Sequence, residues 1–117
     1  MVEKFEDLRC WQQSRELLST IYKKSSSGSL AKDFTVRDQL RRASLSIMNN
    51  IAEGFGRLGS KEKVYFFNVS QSSALEVKSM TYVLEDLKYL EVSDCELLRE
   101  KSQEIRNSVL ALIKSQK

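Results

Sequence analysis

Proline and histidine are both absent from this chain, and glycine occurs only four times in 117 residues. With no proline and so little glycine, few positions interrupt a helix, so long helices are favoured over a sheet with many turns. The missing histidine removes the commonest general base and the commonest metal ligand, which weighs against most enzyme classes. Cysteine occurs twice, at Cys10 and Cys95, too few and too isolated for a disulfide framework or a metal site. Both are read as reduced thiols behaving as small hydrophobes. No run approaches the roughly 20 apolar residues of a membrane span. Residues 1–24 carry acids and no unbroken apolar run, so no signal peptide is expected, and the expected location is the cytoplasm.

What is present describes one globular domain over residues 1–117. Hydrophobic residues make up 41% of the chain and charged residues 30%, enough to bury a core without disulfides or metal. The periodicity predicts four helices, at about 7–24, 36–55, 61–90 and 94–115. Asp7 is the expected N-cap of the first, with Leu8, Trp11, Leu18, Ile21 and Tyr22 on its buried face. The run SSSGS at residues 25–29 has the composition of a flexible link. Thr35 is placed to cap the second helix, with Asp38 near its positive end, and Gly54, Gly56 and Gly59 are placed to stop it.

Ser60 is the expected cap of the third helix, in which no breaker appears before about Glu91. Phe67, Ala74, Val77, Thr81 and Leu84 share one face of it. Tyr65, Phe66, Val69, Met80, Tyr82 and Val83 cannot all point the same way. A single small bundle has little room for this surplus, which is expected either to meet another subunit or to thicken the core with a few residues left exposed. Ser93 and Glu96 have the spacing of a capping box for the fourth helix, and Leu98, Ile105, Val109 and Leu112 form its stripe. Short connections make successive helices antiparallel neighbours. The expected architecture is all-α: an up-and-down antiparallel four-helix bundle.

The richest stretch is QLRRASLSIMNNIAEGFGR, residues 39–57. Leu40, Ala43, Ile47, Ile51 and Gly54 recur at steps of three or four and form one face, and Asn50 and Glu53 lie at its margin. Residues 36–63 hold Arg37, Arg41, Arg42, Arg57, Lys61 and Lys63 against Asp38, Glu53 and Glu62, a local surplus of +3. Residues 64–93 hold two lysines against four acids, so basicity is concentrated around the second helix and the turn after it. Either this is a solvated face of mixed sign or, repeated by symmetry in an oligomer, it is a basic band that binds RNA or DNA. GFGRLG at 54–59 has dinucleotide-type glycine spacing but follows a helix rather than a strand, so a helix-ending turn is expected. Arg57, Lys61 and the start of the third helix could still receive a phosphate.

These fragments, in this order, resemble the four-helix-bundle family of 23S rRNA intervening-sequence proteins, which also includes the accessory variability determinant of diversity-generating retroelements. The resemblance rests on FEDLRCW with Phe5, Leu8 and Trp11; QLRRA at 39–43; Ser46 and Ile47; NIAEG at 50–54; Gly56 and Arg57; and Phe67, Ser73 and Glu76. Ser14 and Ser70 depart from the usual alanine, Ser72 stands for an expected glycine, and a proline before the second helix is missing. The resemblance implies a non-enzymatic homo-oligomer, most often a pentameric ring or barrel. For the retroelement branch it further implies binding to nucleic acid and a reverse transcriptase.

The family's polar signature falls on Arg42, Asn50, Glu53, Ser73 and Glu76. These residues are expected to form a hydrogen-bonded layer between the second and third helices, with Arg42 internal. The alternative is a Glu53/Glu76 carboxylate pair, a weak oxygen-only metal site at best without histidine. The expected phosphate contacts are Arg37, Arg41, Arg57, Lys61 and Lys63, with no catalytic residue, no metal and no cofactor. The alternative function is a structural or protein-interaction scaffold with no nucleic-acid role.

Overall fold

The computed structural model describes residues 2–116. A 3-10 turn at Phe5–Asp7 leads into α1 (Arg9–Lys24), a short α2 (Gly28–Lys32), α3 (Phe34–Phe55), α4 (Ser60–Asp86) and α5 (Val92–Lys114), with no strand among the described residues. The chain is a helical bundle 44 Å long and 20 Å wide. In it, α1 packs on α3 and α5, and α4 packs on the same two helices. Lys24 at the end of α1 pairs with Asp94 at the start of α5, and Tyr89 after α4 bonds to Asp33 before α3. These contacts gather alternate helix ends at one pole, so the four long helices run up, down, up and down.

The stripes expected on the two central helices form the core. Leu40, Ala43, Ile47, Ile51 and Gly54 of α3 are buried against Phe67, Ala74, Val77, Thr81 and Leu84 of α4. From α5, Leu98, Ile105 and Val109 are buried, with Leu112 packed beside them. Gly54 is required by a close approach: a Cβ there would lie 2.6 Å from Phe67 Cε1 and 3.2 Å from the Lys63 carbonyl oxygen. The α3–α4 seam is therefore closed by a glycine set against a ring.

Several local expectations are corrected. Asp7 does not cap α1. It lies in the 3-10 turn, and the extended residue before the helix is Leu8. Phe5 meets Trp11 edge-on at 5.1 Å, and this aromatic contact ties the entering chain to the first turn. The buried face of α1 is Cys10, Ser14, Leu17 and Ile21, while Tyr22 is exposed and Leu18 half-buried. Half of that stripe is small residues, Cys10 and Ser14.

The SSSGS run is structured as well. Ser25 is fully buried and donates to the Ile21 carbonyl at 2.7 Å, ending α1. Leu30 of α2, also fully buried, plugs the bundle from the following turn. Asp33, not Thr35, caps α3 by accepting from the Val36 amide at 3.1 Å. Its other carboxylate oxygen receives the Tyr89 hydroxyl, so a tertiary contact decides between two candidate caps.

Gly59, not Ser60, precedes α4, and Ser93 with Glu96 lies inside α5 with no capping box, because that helix begins after Glu91. Helix α4 ends at Asp86, earlier than expected. Lys88 takes a left-handed backbone with φ of 57°. The Tyr89 amide reaches the Leu84 carbonyl and the Lys88 amide reaches the Glu85 carbonyl, the pairing that closes a helix when the residue past its end turns left-handed. A lysine does here what glycine usually does, which is why composition did not mark the stop.

Candidate nucleic-acid interface

The five expected phosphate contacts fall into two groups at opposite ends of α3, separated by roughly 20 Å or more at 1.5 Å rise per residue. Arg37 and Arg41 stand at the end shared with α2. Arg37 donates to Asp38 at 2.8 Å and to the Ala31 carbonyl at 3.0 Å, and the hydrogen bond from Arg37 holds the Asp38 carboxyl below its usual range. Arg41 donates to Ser25 Oγ at 2.8 Å and Ser26 Oγ at 3.3 Å. All its hydrogen-bond acceptors among the described residues are neutral, so it fastens the end of α1 without forming an ion pair, although its charge also acts on Asp38.

Arg57, Lys61 and Lys63 stand at the α3–α4 turn. Arg57 pairs with Glu53 at 2.8 Å and lies 4.5 Å from the centroid of the Phe66 ring. Lys63 donates to the Phe55 carbonyl at 2.8 Å and approaches the Gly54 carbonyl at 3.4 Å, supplying a cation to the negative end of α3. Lys61 is exposed and has no ion pair among the described residues. Beside it, no side chain caps the start of α4, so the first amides of that helix face outward.

Only part of the expected polar layer comes together. Asn50 donates to the Ser46 carbonyl at 2.8 Å, Ser46 and Ser73 share a hydroxyl contact at 2.7 Å, and Glu76 accepts from Gln39. Glu53 is exposed and spent on Arg57. Arg42 is exposed rather than internal, and among the described residues its guanidinium reaches only Gln39 of its own helix, at 3.5 Å. The Glu53/Glu76 pair does not form: Glu76 sits level with Gln39, nearly four turns from Glu53. Among the described residues no cluster of three acidic or cysteine groups is arranged to hold a metal.

Several polar contacts escaped the sequence reading. Gln39 and Ser46 complete the α3–α4 seam, and Ser70 donates across it to the Ile47 carbonyl at 2.8 Å. On the α4–α5 seam Arg99 donates to Thr81 and Glu85 and lies 3.7 Å from the Tyr82 ring centroid, while Arg106 donates to Gln71 at 2.9 Å. Arg99 and Arg106 each follow a buried residue of the α5 stripe, Leu98 and Ile105. That adjacency was the available signal.

Apolar side chains also remain on the outer surface of α4. Tyr65, Leu75, Tyr82 and Val83 are exposed, whereas Phe66, Val69 and Met80 are half-buried. The surplus noted in the sequence thus divides between the seams and the outer face. No described helix is long and apolar enough to cross a membrane.

The family model for the 23S rRNA-intervening sequence protein matches residues 6–111. A crystal structure of a protein of unknown function from the S23 ribosomal protein family of Bacteroides thetaiotaomicron superposes with a TM-score of 0.83 at 22% identity, covering 90% of this chain and 95% of that one. At that identity the likeness shows the fold. No curated protein matches. The family model spans nearly the whole chain, and the chain belongs to the 23S rRNA-intervening sequence protein family.

Proposed function

We propose that this member of the family is a non-enzymatic, self-assembling helical bundle that binds nucleic acid through the cations of α3 and of the α3–α4 turn. The observation that carries the reading is charge left uncompensated by the fold. Arg41 and Lys63 bond only to neutral oxygens, and Lys61 has no carboxylate partner among the described residues. Such cations attract phosphates and release their condensed counterions, and an oligomer multiplies the effect by its subunit number. The family's link to ribosomal RNA supports RNA as the first ligand to test.

Self-assembly is supported by Tyr65, Leu75, Tyr82 and Val83 on the outer face of α4, which the bundle leaves partly exposed. A five-membered ring is the assembly that the family resemblance favours. Charge reversal tests the binding reading: Lys61→Glu, exposed and unpaired, should weaken RNA binding and flatten its dependence on salt while leaving the oligomer's mass unchanged. Unchanged affinity with Lys61→Glu and with Arg57→Glu would favour a protein-interaction scaffold.

A further inference from the structure

The two basic groups differ in what surrounds them. At the α2 end of α3, Phe34 is 64% exposed, and the Arg37 guanidinium lies over its ring, 4.7 Å from the centroid. One turn on, Arg41 lies over Tyr22 at 4.4 Å, and that ring too is exposed. Both cations are held from behind, Arg37 by the Ala31 carbonyl and Asp38, and Arg41 by Ser25 and Ser26. The guanidiniums are therefore fixed beside aromatic rings.

Phosphate contact alone needs a cation or an N–H donor and no ring beside it. Exposed aromatic rings flanked by planar cations instead offer flat surfaces on which bases stack, and only bases freed from pairing can reach them. The cluster lies on the α1–α3 flank, and α1 does not neighbour α4, so it is separate from the apolar outer face assigned to self-assembly. Asp38 offsets Arg37, and the positive charge left on Arg41 suits a polyanion better than a second copy of the same surface. We propose that Tyr22, Phe34, Arg37 and Arg41 form a stacking platform for the unpaired bases of a single-stranded nucleic acid. This rests on the nucleic-acid reading above and narrows it from any polyanion to single strands.

The test compares a labelled oligouridine RNA, an oligodeoxythymidine of the same length and a blunt RNA hairpin closed by a non-nucleotide linker, so that it has no unpaired base, each titrated by fluorescence anisotropy with the intact protein at low and at near-physiological salt. Both single strands should bind more tightly than the hairpin. Phe34→Ala should lose about five- to a hundredfold in single-strand affinity, the range for one stacked base, with hairpin affinity, salt slope and melting temperature unchanged. Phe34→Tyr, which keeps a ring, should retain binding. Equal affinity for all three probes and no effect of Phe34→Ala, with Lys61→Glu still weakening them all, would overturn the platform and leave the phosphate-binding reading standing. A change in oligomer mass in Phe34→Ala would assign the ring to a subunit contact and overturn it as well. No binding to any probe at low salt would overturn both readings.

Discussion

Replacing Gly54 by alanine adds one methyl group to a place with no room for it. The new Cβ would sit 2.6 Å and 2.7 Å from two carbons of the Phe67 ring and 3.2 Å from a backbone oxygen. Phe67 is 1% exposed, so its ring cannot swing into solvent, and the backbone oxygen belongs to α4 itself. Relief must come from parting α3 and α4, and overpacking of this kind costs about 1–3 kcal/mol. Alanine returns at most ~1 kcal/mol of helix propensity, less in the last turn of α3. The net expectation is a loss of about 1–2 kcal/mol, or roughly 4–8 °C in melting temperature for a chain of this size. Urea unfolding followed by circular dichroism reads it directly. In a Phe67→Leu background the same substitution should cost less, because leucine has no ε carbon and its δ methyls can turn aside where a flat ring cannot, and the difference is the coupling between the positions. A Gly54→Ala variant that is more stable than the parent, or whose cost is unchanged beside Leu at 67, would refute the close-approach reasoning.

Other expectations follow from the helix ends and seams. Lys88→Gly should stabilise the protein by about 0.5–1 kcal/mol in urea unfolding, because glycine adopts the left-handed backbone without the strain a lysine bears. The Tyr89 hydroxyl, and after it the Val36 amide, hold the Asp33 carboxyl below its usual range. A lowered folded-state value means stability that is full above about pH 4 and is lost as pH falls through the folded value. The bond to Asp33 raises the Tyr89 hydroxyl in turn, so that part of the stability is lost as pH rises past about 10. Tyr89→Phe should therefore flatten both the acid and the alkaline limbs of a melting-temperature profile. Ser70→Ala removes the bond to the Ile47 carbonyl but leaves no buried donor behind, and should change unfolding free energy by no more than about 1 kcal/mol.

The long-range architecture was legible because period is a strong signal. Leu40, Ala43, Ile47, Ile51 and Gly54 on α3, and Phe67, Ala74, Val77, Thr81 and Leu84 on α4, were each placed on one face and are buried on it. The helix ends were not legible, because the deciding contacts come from elsewhere in the chain. Asp33 prevails over Thr35 through Tyr89, more than 50 residues away, and α4 stops at a lysine that carries no compositional mark. On α1 the buried stripe includes Ser14, which hydropathy alone does not place inside. The polar layer was half legible: Asn50, Ser73 and Glu76 lie on the seam, but their partners Ser46 and Gln39 come from helical positions that spacing alone did not join. The cations appeared as one surplus in the sequence because α3 is contiguous there. In space its length sets them at two ends.

Nucleic-acid binding through cations that the fold leaves without an ion pair is the proposal on which the stacking platform also depends. It is tested most directly by titrating the purified protein against a labelled RNA carrying a hairpin and single-stranded tails, by fluorescence anisotropy, at low and at near-physiological salt. The expected result is tight binding at low salt that weakens along a steep log-salt slope, with each phosphate contact contributing about 0.7–0.9 to the slope. Absence of binding even at low salt would contradict it.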